Sequence, residues 1–160
     1  MVKKWDITIP TLSADKTRKA YIYLPASYAR NKDRRYPVMY MFDGHNVFFD
    51  SDATYGKSWG MDAYMRKSKK ELIIVAVECN HDGNQRLMEY SPVTYRNKAH
   101  GFIPGKAPTY MKWLVHKLKP YVDKTFRTLP DREHTSLAGS SMGGLIALYG
   151  ITAYNHVFRQ

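Results

Sequence analysis

Two rhythms of hydrophobic and polar positions run along this chain. Trp5, Ile7 and Ile9 alternate with polar neighbours, and Ala20, Ile22 and Leu24 do the same beyond a turn-like stretch, Thr11–Asp15. A period of two puts such side chains on one face of a strand, so the pattern predicts two antiparallel edge strands. After the polar loop Ser27–Arg35 the alternation stops. Tyr36–Phe42 and Leu72–Val77 are continuous apolar runs, the signature of strands buried on both faces. Helical spacing appears three times. Lys57–Lys69 predicts a helix with Trp59, Ala63 and Tyr64 inward and its cations near the C-terminal end, where they suit the helix dipole. Thr109–Lys124 aligns Tyr110, Leu114, Leu118 and Tyr121, with a kink or break expected at Pro120. Leu145–Tyr154 is an apolar helix fed by a short strand, His134–Ala138. Glu78–Pro108, about thirty residues, has no periodicity and reads as a long functional or mobile loop. Strands alternating with helices predict one α/β domain over residues 1–160 with a mainly parallel sheet.

Composition removes some partners. Hydrophobic residues make up 44% of the 160 and aromatics 14%, the balance of a folded chain. The net charge of +11 is scattered over Lys3/Lys4, Arg30–Arg35, Arg66–Lys70 and Lys112–Lys124, outside any nucleic-acid-binding motif, so no nucleic-acid partner is expected. No apolar run approaches the ~18 residues of a membrane span and no signal core follows the first lysines, which predicts a cytoplasmic protein without membrane contact. Cys79 is the one cysteine, excluding an internal disulfide and any multi-cysteine zinc site; at the end of an apolar strand it reads as a buried, inert thiol.

The chemistry concentrates in Gly139-Ser140-Ser141-Met142-Gly143-Gly144. Strand, tight turn and helix are the context of a G-x-S-x-G nucleophile elbow, with Ser141 as nucleophile and Gly139, Gly143 and Gly144 keeping side-chain bulk away. The Met142 amide then points at a developing oxyanion. Acyl transfer needs a second donor. The loop leaving the Tyr36–Phe42 strand, Asp43-Gly44-His45-Asn46, supplies it through the backbone amide of His45 rather than its ring. His45 with Asp43 or Asp50 has no recognisable ligand spacing, so no metal and no cofactor is expected. His81 and Asp82 are adjacent and do not form a dyad. Arg86 and Glu89 are expected to pair and hold the long loop, while Tyr55 and Tyr90 are candidates to line a pocket for a sugar or aromatic acyl group.

Pro37–Gly44, Trp59-Gly60-Met61-Asp62, Glu89-Tyr90-Ser91-Pro92, Leu118–Asp123 and Gly139–Gly144 follow one another in an order that resembles the putative-esterase (esterase D-like) family of α/β-hydrolases, over nearly the whole chain. The resemblance implies a three-layer α/β-hydrolase sandwich, Ser141 as nucleophile, the amides of His45 and Met142 as oxyanion hole, and Trp59 and Asp62 near the acyl pocket. It also implies a feruloyl, acetyl or other carbohydrate-linked ester, or another small-molecule ester, as substrate. Family members carry their acid and histidine on later strands, so neither is expected in this chain and the C-terminal strands of the domain are expected to be missing. His156, some four turns from the elbow, lies roughly 20 Å away at 1.5 Å per residue, beyond the reach of a base. A central strand left as an edge predicts self-association or a second chain over it. Two readings stand: a serine esterase working through an acyl-enzyme at Ser141, and an inactive truncated remnant serving as an assembly or binding module.

Overall fold

The structure is a computed structural model and describes residues 1–159. In chain order the strands are β1 (Val2–Thr8), β2 (Thr17–Tyr23), β3 (Val38–Phe42), β4 (Ile73–Val77), β5 (Tyr95–Asn97), β6 (Gly101–Ile103) and β7 (Thr135–Ala138). The helices are α1 (Pro10–Ser13), α2 (Met61–Ser68), α3 (Gln85–Tyr90), α4 (Ala107–Trp113), α5 (Lys119–Thr125) and α6 (Met142–Ala153).

Five strands form the main sheet in the order β1-β2-β4-β3-β7. β1 pairs antiparallel with β2 and β2 with β4, whereas β3 runs parallel to both β4 and β7. The sheet is therefore mixed, two ladders of each kind, and not mainly parallel. The N-terminal hairpin accounts for this, because β2 turns inward to pair with β4. Only β1 of the two expected edge strands lies at an edge.

The continuous apolar runs are buried on both faces, as their patterning requires. Tyr40, Phe42, Val75 and Val77 face a core shared with Tyr110 and Met111 of α4 and Ile146 of α6. Met41, Ile74 and Ala76 face the other way, onto Val47, Phe48 and Met65 of α2. Helices thus cover the sheet on both sides.

Three local expectations need correction. α2 begins only at Met61, because Gly60 precedes it at a φ of +64°; Met65 fills the buried position, Trp59 lies ahead of the helix and Tyr64 is half exposed. The break expected at Pro120 takes the form of a π turn directly ahead of it. α4 continues into α5 through a five-residue π turn, Leu114–Leu118, in which the Lys119 amide donates to the Leu114 carbonyl. Proline lacks the N–H for a regular turn and its ring crowds the carbonyl four residues back, and a widened turn just ahead absorbs both. The aperiodic stretch holds α3 and the β5–β6 hairpin. Arg86 and Glu89 do not pair. Glu89 turns inward to Arg18 of β2, with Nη1 3.0 Å from both carboxylate oxygens, and accepts the Asn80 amide at 2.8 Å.

Among the described residues β7 pairs with a strand, β3, on one side only. On its other flank the Arg159 amide donates to the Thr135 carbonyl at 3.1 Å, and Phe158 is buried edge-on against Tyr40. Leu145 and Leu148 of α6 are exposed. No helix among the described residues is long and apolar enough to cross a membrane.

Candidate active site

β3 and β7 are parallel neighbours, with Met41 opposite Ala138, so their C-terminal exits open at the same end of the sheet. Ligand crevices in α/β sheets form at such ends. At the β7 exit the chain reverses through Gly139–Ser141 into α6. Ser141 has φ 54° and ψ −123°, a conformation that a residue with a Cβ takes at a cost of order 1–3 kcal/mol, and its side chain is exposed. The Gly143 amide donates to the Ser140 carbonyl at 2.8 Å and the Leu145 amide to the Ser141 carbonyl at 3.0 Å, which locks the turn. A Cβ on Gly139 would meet the Gly143 carbonyl oxygen at 2.3 Å, so only glycine fits there. One on Gly143 would press on the Asp43 carboxylate and Phe42, whereas Gly144 has ordinary space. Met142 is the first residue of α6, so its amide is one of the unpartnered donors of a helix start.

The β3 exit is built around Asp43, at a φ of 56° and ψ of 50°. Gly44 follows so close to β4 that a Cβ would lie 2.8 Å from the backbone of Ala76 and Val77. The short 3-10 turn Gly44–Asn46 then carries His45 beside the end of β4. Asp43 is buried. Arg86 of α3 grips its carboxylate with two hydrogen bonds of 2.7 Å, and its amide donates to the buried Tyr90 hydroxyl at 3.1 Å. The carboxylate in turn raises the pKa of the Arg86 guanidinium further above its ordinary value.

A crevice of about 420 Å³ joins the two exits, lined by Asp43, His45, Trp59, His81, Arg86 and Ser141 among others. Trp59 lines this crevice. Tyr55, 93% exposed, stands at the rim. Asp62 is absent from the lining and pairs with Arg66 at 2.7 Å on α2. Tyr90 is no pocket residue either: it is wholly buried beneath Asp43, packed on Phe42 and Tyr110. Asp50 fixes the loop that carries Trp59 by accepting the Ser58 amide and hydroxyl and the Lys57 ammonium, and these bonds hold its pKa at about 2.

Two histidines share the crevice with Ser141. The ring of His45 is buried, bonds Thr54 Oγ1 through Nε2 at 3.1 Å, and packs edge-on to His81 with centroids 4.5 Å apart. Burial, reinforced by the neighbouring His81, lowers its pKa below that of an ordinary histidine. Cys79 is buried as expected, and burial first, then the Asp43 carboxylate, pushes its thiol well up. Among the described residues no hydrogen bond joins a histidine to the Ser141 hydroxyl. His134 pairs with Asp131 at 2.8 Å, but ahead of β7 and so at the opposite end of that strand from Ser141.

The sequence reading missed Arg86 as the partner of Asp43. Its signal lay in register: α3 follows β4, and β4 neighbours β3, so α3 reaches back across the β3 exit.

A family model described as "Putative esterase" matches residues 12–160. Over 143 residues the chain is 23% identical to the uncharacterized protein YbbA of Bacillus subtilis, covering 88% of this chain and 53% of that protein. It is 28% identical over 143 residues to an endo-1,4-beta-xylanase/feruloyl esterase of Xylanibacter ruminicola, covering 87% of this chain and 18% of that protein. Among solved structures, an IroE-like serine hydrolase from Shewanella oneidensis superposes with a TM-score of 0.71 at 22% identity, over 99% of this chain and 48% of that one. The chain thus spans about half the length of YbbA, and less of the other two.

Proposed function

Since this chain belongs to the putative esterase family, we propose that it is the nucleophile-bearing part of a carboxylic ester hydrolase that works through an acyl-enzyme at Ser141. The observation that carries the reading is the Ser141 backbone, strained at a strand-to-helix turn with the hydroxyl-bearing side chain exposed to the crevice. Ser141 Oγ attacks the ester carbonyl and gives its proton to a general base. The amides of Met142 and His45 receive the oxyanion, and collapse expels the alcohol. Water then releases the acid by the same steps. Among the described residues no histidine is hydrogen-bonded to the Ser141 hydroxyl, and neither the base nor its acid partner is assigned to one of them. Trp59 and Tyr55 offer aromatic surface at the crevice mouth, which supports an acyl or sugar group there. The endo-1,4-beta-xylanase/feruloyl esterase of X. ruminicola, as a relative, supports feruloyl esters as the substrate class.

A fluorophosphonate probe followed by peptide mass spectrometry tests the assignment on this chain. The expected result is an adduct on Ser141 that disappears in Ser141→Ala. Labelling elsewhere, or labelling unchanged in the variant, overturns it.

A further inference from the structure

The register of the sheet brings together a second set of chemical groups that acyl transfer does not use. Phe42 of β3 pairs with Val77 of β4, so the chain segments just beyond them emerge side by side. His45 stands three residues past the first, Cys79 and His81 two and four past the second. One ring nitrogen of each histidine and the Cys79 sulfur all lie within 4.8 Å of one another, and Cys79 Sγ is 3.8 Å from His81 Nδ1. We propose that His45, Cys79 and His81 form a binding site for a divalent metal ion, zinc being the ion whose preferred donors they match.

Hydrogen bonds behind the cluster prepare the donors. His81 Nε2 lies 3.0 Å from the Glu78 carboxylate, which only accepts when ionised; the proton therefore sits on Nε2 and the Nδ1 lone pair is left facing sulfur. Carboxylate-oriented histidines of this kind are the usual support of a metal ligand. His45, 3% exposed, engages Thr54 through Nε2, while its Nδ1 is buried without any partner among the described residues. A buried ring nitrogen left unpaired is uncommon, and a ligand supplies what it lacks. One thiolate and two imidazoles suit a borderline ion, and three protein ligands with a fourth position open is the arrangement of a zinc site that also admits water or substrate. His45, Cys79 and His81 all line the crevice that holds Ser141, from which water or substrate would reach an ion there.

The geometry is within reach. Zinc bonds of about 2.3 Å to sulfur and about 2.0 Å to nitrogen set ligand atoms roughly 3.3–3.6 Å apart, so a spread within 4.8 Å closes by about 1.5 Å at most. His81, whose side chain is half exposed on a loop, can swing in to close it. Binding displaces the thiol proton to solvent and leaves a Cys79 thiolate on the ion. Nothing in this site depends on acyl chemistry at Ser141.

The test is a titration of the chelator-treated chain with Co²⁺, then Zn²⁺, with absorption spectra and thermal melts as readouts. The expected result is one ion per chain, a near-ultraviolet thiolate-to-cobalt charge-transfer band that Zn²⁺ abolishes, and a raised melting temperature. Cys79→Ser removes the band. His81→Asn, a change at a half-exposed side chain that the fold tolerates, weakens affinity by at least about tenfold. Absence of a saturable one-to-one band overturns the proposal. So does binding that persists unchanged in His81→Asn, which marks adventitious surface binding.

Discussion

β3 and β7 leave the sheet side by side, and each does so through a non-glycine residue at positive φ, Asp43 at 56° and Ser141 at 54°. The two exits use that backbone reversal for opposite ends. Asp43 takes the left-handed region that aspartate tolerates, and its buried side chain is then gripped by Arg86 while its amide reaches the Tyr90 hydroxyl. Ser141, at ψ −123°, takes a region that glycine occupies far more readily, and its side chain makes no capping bond to its own helix. A satisfied side chain turns a reversed backbone into a rigid wall, and an unsatisfied one turns it into a display. Positive φ alone does not mark reactivity; the partners of the side chain do.

Removing the grip of the wall has the largest expected effect. Asp43→Ala leaves the Arg86 guanidinium unpaired beside a buried site and lowers stability by about 3 kcal/mol, a fall in melting temperature of about 6–12 °C for a chain of this size. Thermal denaturation followed by circular dichroism measures it; a melting temperature within 2 °C of wild type would remove the distinction between the two exits. Ser141→Gly moves the other way. It relieves the reversal at the elbow and raises stability by about 1 kcal/mol or less, while the same exchange at Asp43 still destabilises. A loss at Ser141→Gly would mean that the elbow is not strained.

The smallest expected effect concerns acid. On the β3 side the loop bearing Trp59 hangs on the ionised Asp50, whereas the elbow is held by backbone bonds. The Asp50 pKa is about 2 in the fold against an ordinary value of 3.8, so between these values the unfolded chain takes up a proton first. Its contribution is complete above about pH 4 and disappears as the pH falls to about 2. The melting-temperature gap between wild type and Asp50→Asn should therefore narrow over that window, and a gap constant with pH would relieve Asp50 of the role.

Legibility from sequence followed the range of the interactions involved. β3 and β4 were readable because burial on both faces forces apolar residues at successive positions, and Gly139 because one carbonyl oxygen 2.3 Å from a hypothetical Cβ excludes every other residue. Trp59 was placed in the crevice by a motif, yet Tyr90 could not be told from a pocket aromatic. Whether a tyrosine lines a cavity or sits beneath its floor depends on which face of α3 meets Asp43, a tertiary fact. Arg86 and Glu89, one helical turn apart, looked like natural partners until β2 and β3 offered each a buried ion of its own. The gathering of His45, Cys79 and His81 was invisible for the same reason: no spacing within a segment records that Phe42 pairs with Val77.

The π turn at Leu114–Leu118 sets the phase of everything after it. A regular helix turns about 100° per residue, and the extra residue in the turn resets that angle by one step. With it, Val122 is wholly buried and the Lys119 ammonium reaches both Asp123 and the Pro130 carbonyl. Deleting one residue from the turn would restore a regular helix and rotate α5 by about 100° about its own axis, carrying Val122 toward water and Lys119 off the Pro130 carbonyl, while its i,i+4 partner Asp123 turns with it. A length change of one residue there acts as a twist, which makes this helix far less tolerant of deletion than of substitution.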